Sequence, residues 1–210
     1  MPKHSILIAI KKIRRPLFTT HELSTISGSS LSSITQSLNL LQKKGLVFKI
    51  ARGIWAEVEN ERLSPYMVIP LLFPKHRAYV SFISALHLYG IIEQIPQTIT
   101  LASTVHTRII HTTIATFTLH QITASFFSGF DWYKGTGNFL VAEPEKALLD
   151  SLYLSARKKR QFGYFPELHF SEAFSFEKAE EWTKRISDPK IKISVLKKLE
   201  RIKKNYKSVD

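Results

Sequence analysis

Between Phe18 and Val58 the chain runs through two short apolar-faced helical stretches straight into two β-rich stretches, and few small folds accommodate that order. Thr19 and Glu22 have the spacing of a capping box, in which hydroxyl and carboxylate each satisfy an orphan amide at a helix start. A helix is therefore expected from about Thr20, carrying Leu23 and Ile26 and ending at Gly28, where glycine tolerates a left-handed backbone. A second helix, capped by Ser29 or Ser30, places Leu31, Ile34, Leu38 and Leu41 on one face, which the spacing assigns to the core. Opposite lie Ser32, Ser33, Gln36, Asn39 and Lys43, groups able to reach base edges and phosphates. After Lys44-Gly45, residues Leu46–Ile50 and Ile54–Val58 read as a β-hairpin turning at Ala51-Arg52-Gly53.

Helix, turn, helix and hairpin in this order predict a winged helix-turn-helix, with Thr20, Ser30, Ser32, Ser33, Gln36, Asn39, Lys43, Lys49 and Arg52 as the DNA-contacting set. Such a unit also serves as a packing or protein-contact module. DNA is favoured because no acidic residue occurs from Ser29 to Lys44 while Arg52 supplies a cation at the hairpin tip.

Charge is unevenly spread. Of the 210 residues, 1–62 carry ten Lys+Arg against four Asp+Glu, 63–152 carry five against five, and 153–210 carry fifteen against eight. Two basic ends around a neutral middle point to polyanion contact at the ends and a packed domain between. The expected division is a DNA-binding domain over 1–62 and an α+β domain over 63–210, with a basic helical tail from about 161. A break near 59–65 rests on Glu57, Glu59 and Glu61 followed by Leu63-Ser64-Pro65. There is no cysteine, which excludes disulfides and thiolate zinc sites. With no apolar run of membrane-spanning length and no signal-peptide pattern, a soluble, cytoplasmic protein is expected.

A first helix carrying Ile6, Ile10 and Ile13 stops at Pro16. Its Lys11, Lys12, Arg14 and Arg15 serve equally as phosphate contacts or as a solvated helix end. In the middle, Tyr79–Tyr89 reads as a helix ending at Gly90. Strand candidates are 98–102, 107–112, 116–122 and 138–142, the last after the turn signal Gly135-Thr136-Gly137, and a helix starts at Pro144 and runs into Arg157–Arg160. The tail holds a helix over Glu177–Ile186 and a last one from about Lys190 to Lys204. Val195, Leu196, Leu199 and Ile202 share one side of that helix, expected to dock on its own domain, the alternative being a phosphate-contacting or partner-binding role.

Catalytic signals are weak. Asp131, Glu143, Glu145, Lys146 and Asp150 could serve a metal-dependent nuclease, the alternative reading. Yet Glu145 and Lys146 are adjacent at a helix start, rather than two apart on a strand as nucleases of the restriction type require. As structural groups, Glu143 and Glu145 would meet the positive helix end and Asp150 its polar side. His106, His111 and His120 lack metal-ligand spacing. Gly129, Gly135 and Gly137 do not form a phosphate loop, and no serine occupies a nucleophile elbow. No enzyme, metal site or cofactor is expected. A module binding RNA or another polyanion through the basic ends is a third reading.

The segments LFTTHELS, LNLLQKKGLVFKIARGIWA, SALHLYGIIEQIP, TITLAS, FTLHQI and VAEPEKALLDSLY, in that order, resemble the AbiEi-type antitoxins of type IV toxin-antitoxin systems over about residues 5–160. The stretches Ser84–His87 through Gln94–Pro96 and Ala142–Asp150 are the distinctive ones. The resemblance implies a winged helix that represses its own operon from an operator in double-stranded DNA. It also implies a second domain that counters a nucleotidyltransferase-like toxin without forming a stable complex with it. Ala85, Leu86, Tyr89 and Ile95 are read as core positions, and Glu145, Lys146 and Asp150 as structural polar ones. The tail beyond 160 falls outside the resemblance.

Overall fold

In the computed structural model, which describes residues 6–135, 137–157, 162 and 164–207, the chain is a mixed α+β protein with a small three-stranded sheet, a six-stranded sheet and a helical C-terminal part. It divides into two compact units, Met1–Leu72 with His111–Ala115, and Phe73–Ile110 with Thr116–Asp210.

In the first unit, helix α1 (Ile6–Ile13) is followed by strand β1 (Leu17–Thr19), helices α2 (Thr20–Ser27) and α3 (Leu31–Lys43), and strands β2 (Val47–Ala51) and β3 (Ile54–Glu57). The local signals act as expected. Glu22 N donates to Thr19 Oγ1 at 3.1 Å and Thr19 N to Glu22 Oε2 at 2.8 Å, closing the capping box. Gly28 takes φ 65°, which lets α2 stop and the chain turn into α3, capped by Ser30, whose Oγ accepts from Ser33 N at 3.2 Å. β3 is the central strand, antiparallel to both β1 and β2, and the tight turn at Arg52-Gly53 leaves Ala51 within β2. The free edge of β2 is covered by Thr113, whose N donates to Ile50 O at 3.2 Å and Oγ1 to Lys49 O at 3.0 Å. Ile10, Phe18, Leu23, Ile34, Leu38, Leu41, Val47 and Trp55 form the core, with Ile6 and Ile13 packed against it.

Leu31 departs from this pattern. It is 52% exposed, because the core ends at Ile34 and the first turn of α3 projects beyond it.

After the short helix α4 (Ile69–Leu72), the second unit begins with β4 (Ala78–Val80), α5 (Phe82–Leu88), β5 (Ile99–Ser103), β6 (Arg108–His111, its last residue counted with the first unit), β7 (Thr116–Gln121), β8 (Phe130–Trp132) and β9 (Leu140–Ala142). The sheet order is β6-β7-β5-β4-β9-β8. β4 is antiparallel to β5 and parallel to β9, β5 is parallel to β7, and β8 is antiparallel to β9. All five residues of β5 are buried, as expected of a strand covered on both faces. The expected helix over Tyr79–Tyr89 is in fact strand, turn and helix, with Ser81 closing β4 and Phe82 at φ 57° opening α5. That strained backbone is held by packing, since the Phe82 ring is buried 5.1 Å from His120 and 5.0 Å from Phe162.

Helix α6 (Pro144–Ala156) opens with proline in its first turn and is buried on every side from Glu145 to Leu154. It has no polar side, and Asp150, expected on one, is fully buried. Of the basic run expected to close α6, residues 158–160 lie outside the described residues, as does Thr136 of the turn before β9. Helices α7 (Phe176–Thr183) and α8 (Pro189–Lys207) pack on α6 and on each other, and Val195 and Leu199 are the buried side of α8. Ala85 and Leu86 are core, whereas Tyr89, the residue that caps the end of α5, is partly exposed and Ile95 is 77% exposed. No helix among the described residues is long and apolar enough to cross a membrane.

Candidate nucleic-acid interface

The solvent face of α3 is built by its own periodicity. Once Ile34, Leu38 and Leu41 are fixed in the core, Ser32, Gln36, Asn39 and Lys43 must face outward, with Ser33 beside them, and all five are exposed. Thr35 and Leu40 flank the row, and Leu40 is 55% exposed. Thr35 Oγ1 donates to Leu31 O at 2.8 Å and Ser37 Oγ to Ser33 O at 3.0 Å, so both hydroxyl protons are spent along the helix.

The remaining expected residues fall into three kinds. Lys49 and Arg52 are exposed on the hairpin, Lys49 on β2 with its ammonium 5.8 Å from the Trp55 ring centre, and Arg52 at the turn. Ser30 is exposed but its hydroxyl already caps α3. Thr20 is drawn inward, since its Oγ1 accepts from the buried Trp55 Nε1 at 3.2 Å. It is a fastening between α2 and β3, a role invisible in sequence because Trp55 lies far along the chain. Lys43, Lys44, Lys49 and Arg52 are the charged groups between Ser29 and Ile54, and no carboxylate occurs there.

The basic end of α1 is mixed rather than purely cationic. Arg15 pairs with Glu22. Burial alone would raise the Glu22 carboxyl, but the Thr19 amide and the Arg15 guanidinium outweigh it and hold the carboxyl below its ordinary 4.5. Lys11, Arg14, Arg15 and Arg62 line a cleft of about 800 Å³ together with Glu57, Glu59 and Glu61.

The polar residues of the second unit are arranged for packing. Lys146 and Asp150 lie one helical turn apart on α6, paired and fully buried. Asp150 Oδ2 accepts from Tyr79 Oη at 2.9 Å and Ser81 Oγ at 2.7 Å, and Lys146 Nζ sits 3.9 Å from the centre of the Phe126 ring. Burial pushes the Lys146 ammonium down despite Asp150, and burial with the adjacent carboxylate pushes the Tyr79 phenol well up. Glu145 Oε1 accepts from Ser175 N at 3.1 Å, and Lys178 lies 3.1 Å from Glu143 Oε2 and 3.6 Å from Glu145 Oε2. Tyr89, half-buried near Glu143, Tyr133, Glu145 and Asp131, has its phenol raised to about 12 by burial and by those charges. Of the residues considered for nuclease chemistry, the structure thus ties Lys146 and Asp150 to each other and Glu143 and Glu145 to Lys178. Among the described residues no three His, Asp or Glu side chains converge as metal ligands would.

No protein-family model matches the chain, and no curated protein matches it significantly.

Proposed function

We propose that the first unit is a winged helix-turn-helix that binds double-stranded DNA, with α3 as recognition helix and the β2–β3 hairpin as wing, and that the protein represses its own operon. The observation that carries this reading is the outer row of α3, Ser32, Gln36, Asn39 and Lys43, which is exposed and uncharged but for a cation at its far end. A recognition helix lies in the major groove with its first turns at the base edges and its flanks at the phosphates. Lys43, Lys44, Lys49 and Arg52 supply the phosphate contacts, and amides and hydroxyls supply the base contacts.

The resemblance to AbiEi-type antitoxins extends the proposal to the second unit, which would counter a nucleotidyltransferase-like toxin without forming a stable complex with it. The tight, all-round burial of α6 suits a scaffold rather than a catalytic cleft, and the protein is read as a regulator rather than an enzyme.

Gel shifts of the full-length chain on the duplex upstream of its own reading frame test the DNA-binding half. Binding at least tenfold tighter than to random duplex at matched salt is expected, and equal affinity for both refutes it. Co-expression with a nucleotidyltransferase toxin encoded beside it tests the other half. Growth arrest that full-length protein does not relieve refutes the antitoxin role.

A further inference from the structure

The outer face of α3 offers a restricted set of chemical groups, and that restriction selects among base pairs. In the major groove guanine presents two acceptors, N7 and O6, and is read by paired donors, above all arginine. Cytosine presents a donor, N4, and is read by a carboxylate. Adenine presents one acceptor and one donor, matching a carboxamide, and thymine adds a C5-methyl that takes apolar contact.

From Pro16 to Ala51 there is no arginine, and from Leu23 to Ala56 no carboxylate. Lys43 and Lys44 stand at the C-terminal end of α3, beyond the turns that reach base edges. Two carboxamides, Gln36 and Asn39, stand in the outward row instead. Beside them, Leu31 and Thr35 continue toward the helix start with Asn39 at spacings of four, forming one ridge. Leu31 leaves 52% of its surface in solvent on this ridge, an apolar surface open to contact. Thr35 is exposed with its hydroxyl proton held by Leu31 O, so its methyl is what remains to offer a base edge apart from a lone pair.

We propose that α3 reads adenine–thymine pairs, Gln36 and Asn39 binding adenine edges and Leu31 and Thr35 packing on thymine methyls. This rests on the DNA-binding reading and narrows it to a class of base pair. Helical spacing alone puts Thr35 on a flank and Leu31 in the core, so neither belongs to the contact set that the sequence predicts.

Selection of full-length protein on a random-sequence duplex library tests it, followed by atom-level changes in the selected duplex. A consensus of A·T pairs at the contacted positions is expected. Replacing a contacted adenine by 7-deazaadenine, which lacks the N7 acceptor, weakens binding roughly tenfold. Replacing a contacted thymine by uracil, which lacks the methyl, weakens it about fourfold. Gln36→Ala or Asn39→Ala abolishes the deazaadenine effect at one position, and Leu31→Ala abolishes the uracil effect at another. A consensus of G·C pairs, or A·T pairs at which neither replacement matters, overturns the base assignment while leaving DNA binding intact. A library that shows no enrichment overturns both.

Discussion

Lys146 Nζ lies against the Asp150 carboxylate with neither side chain exposed to solvent, and Tyr79 Oη bridges them, 3.1 Å from the ammonium and 2.9 Å from Asp150 Oδ2. Two charges inside a core lose so much hydration that their attraction roughly offsets it, so the intact pair adds little net stability. Removing one partner is different, since it leaves the other uncompensated. Lys146→Met should destabilise the second unit by about 3–5 kcal/mol, whereas Lys146→Met with Asp150→Leu should recover only part of that loss, because the buried Tyr79 Oη and Ser81 Oγ then lose their common acceptor. Urea unfolding of the three proteins checks this, and a double variant as weak as the single one would contradict it.

Glu22 joins the cap of α2 to Arg15, and its carboxyl is held below 4.5 in the folded protein. A depressed acid stabilises the fold above its unfolded pKa, and that contribution disappears as pH falls through the folded value. Because the side chain is one-third exposed, solvent screening keeps the effect to about 0.5–1 kcal/mol. Glu22→Gln should therefore lower the melting temperature at pH 7 and show a smaller loss of stability than the wild type below pH 4.5. Thermal melts across pH 3–7 would show parallel curves if the carboxylate played no part.

Gly129 is held at φ 75°, and a Cβ built there would lie 2.5 Å from Trp182 Cζ2 and 3.1 Å from Lys146 Cγ. Gly129→Ala should cost about 2–4 kcal/mol, combining the strain of a left-handed backbone with overpacking. In a Trp182→Ala background the same substitution should cost only about 1–2 kcal/mol, the backbone share. Denaturation midpoints of the four proteins separate the two contributions.

Docking of α8 rests on Val195 and Leu199, both buried, and on Lys203, which lies 3.1 Å from Glu180 and 3.6 Å from Glu177. Leu199→Ala should destabilise by about 2–5 kcal/mol, while Lys197→Ala and Lys204→Ala, on the exposed side, should stay within about 0.5 kcal/mol. Equal effects from all three would mean that the apolar face does not carry the attachment.

On DNA, Lys43→Ala and Arg52→Ala should each reduce the slope of log affinity against log salt by about 1, weakening every sequence alike. Selection of Arg52→Ala from a random library should return the wild-type consensus. A changed consensus would make Arg52 a base reader rather than a phosphate contact.

Much of the first unit is legible in the amino-acid sequence. The Thr19/Glu22 box, Gly28 after α2, Ser30 before α3 and the turn at Arg52-Gly53 are dictated by residues within a few positions of one another, and local hydrogen bonds and backbone sterics act regardless of the rest of the chain. The outward row Ser32, Gln36, Asn39 and Lys43 follows from helical periodicity alone. Periodicity says which residues share a face, but not where the neighbouring core stops, and so Leu31, which spacing assigns to the core, lies outside it. The inward turn of Thr20 depends on Trp55, and strand β4 is hidden in an apolar run that suits strand and helix equally until β5 and β9 flank it. The adjacent Glu145-Lys146 and the later Asp150 have the sequence pattern of the exposed start of a charged helix. Their burial depends on Tyr79, Ser81, Phe126 and Trp182, brought from other elements to enclose them. Contacts of that kind belong to no local pattern, since they are made by folding the chain back on itself, and burial reverses the usual preference of a charged side chain only after they form.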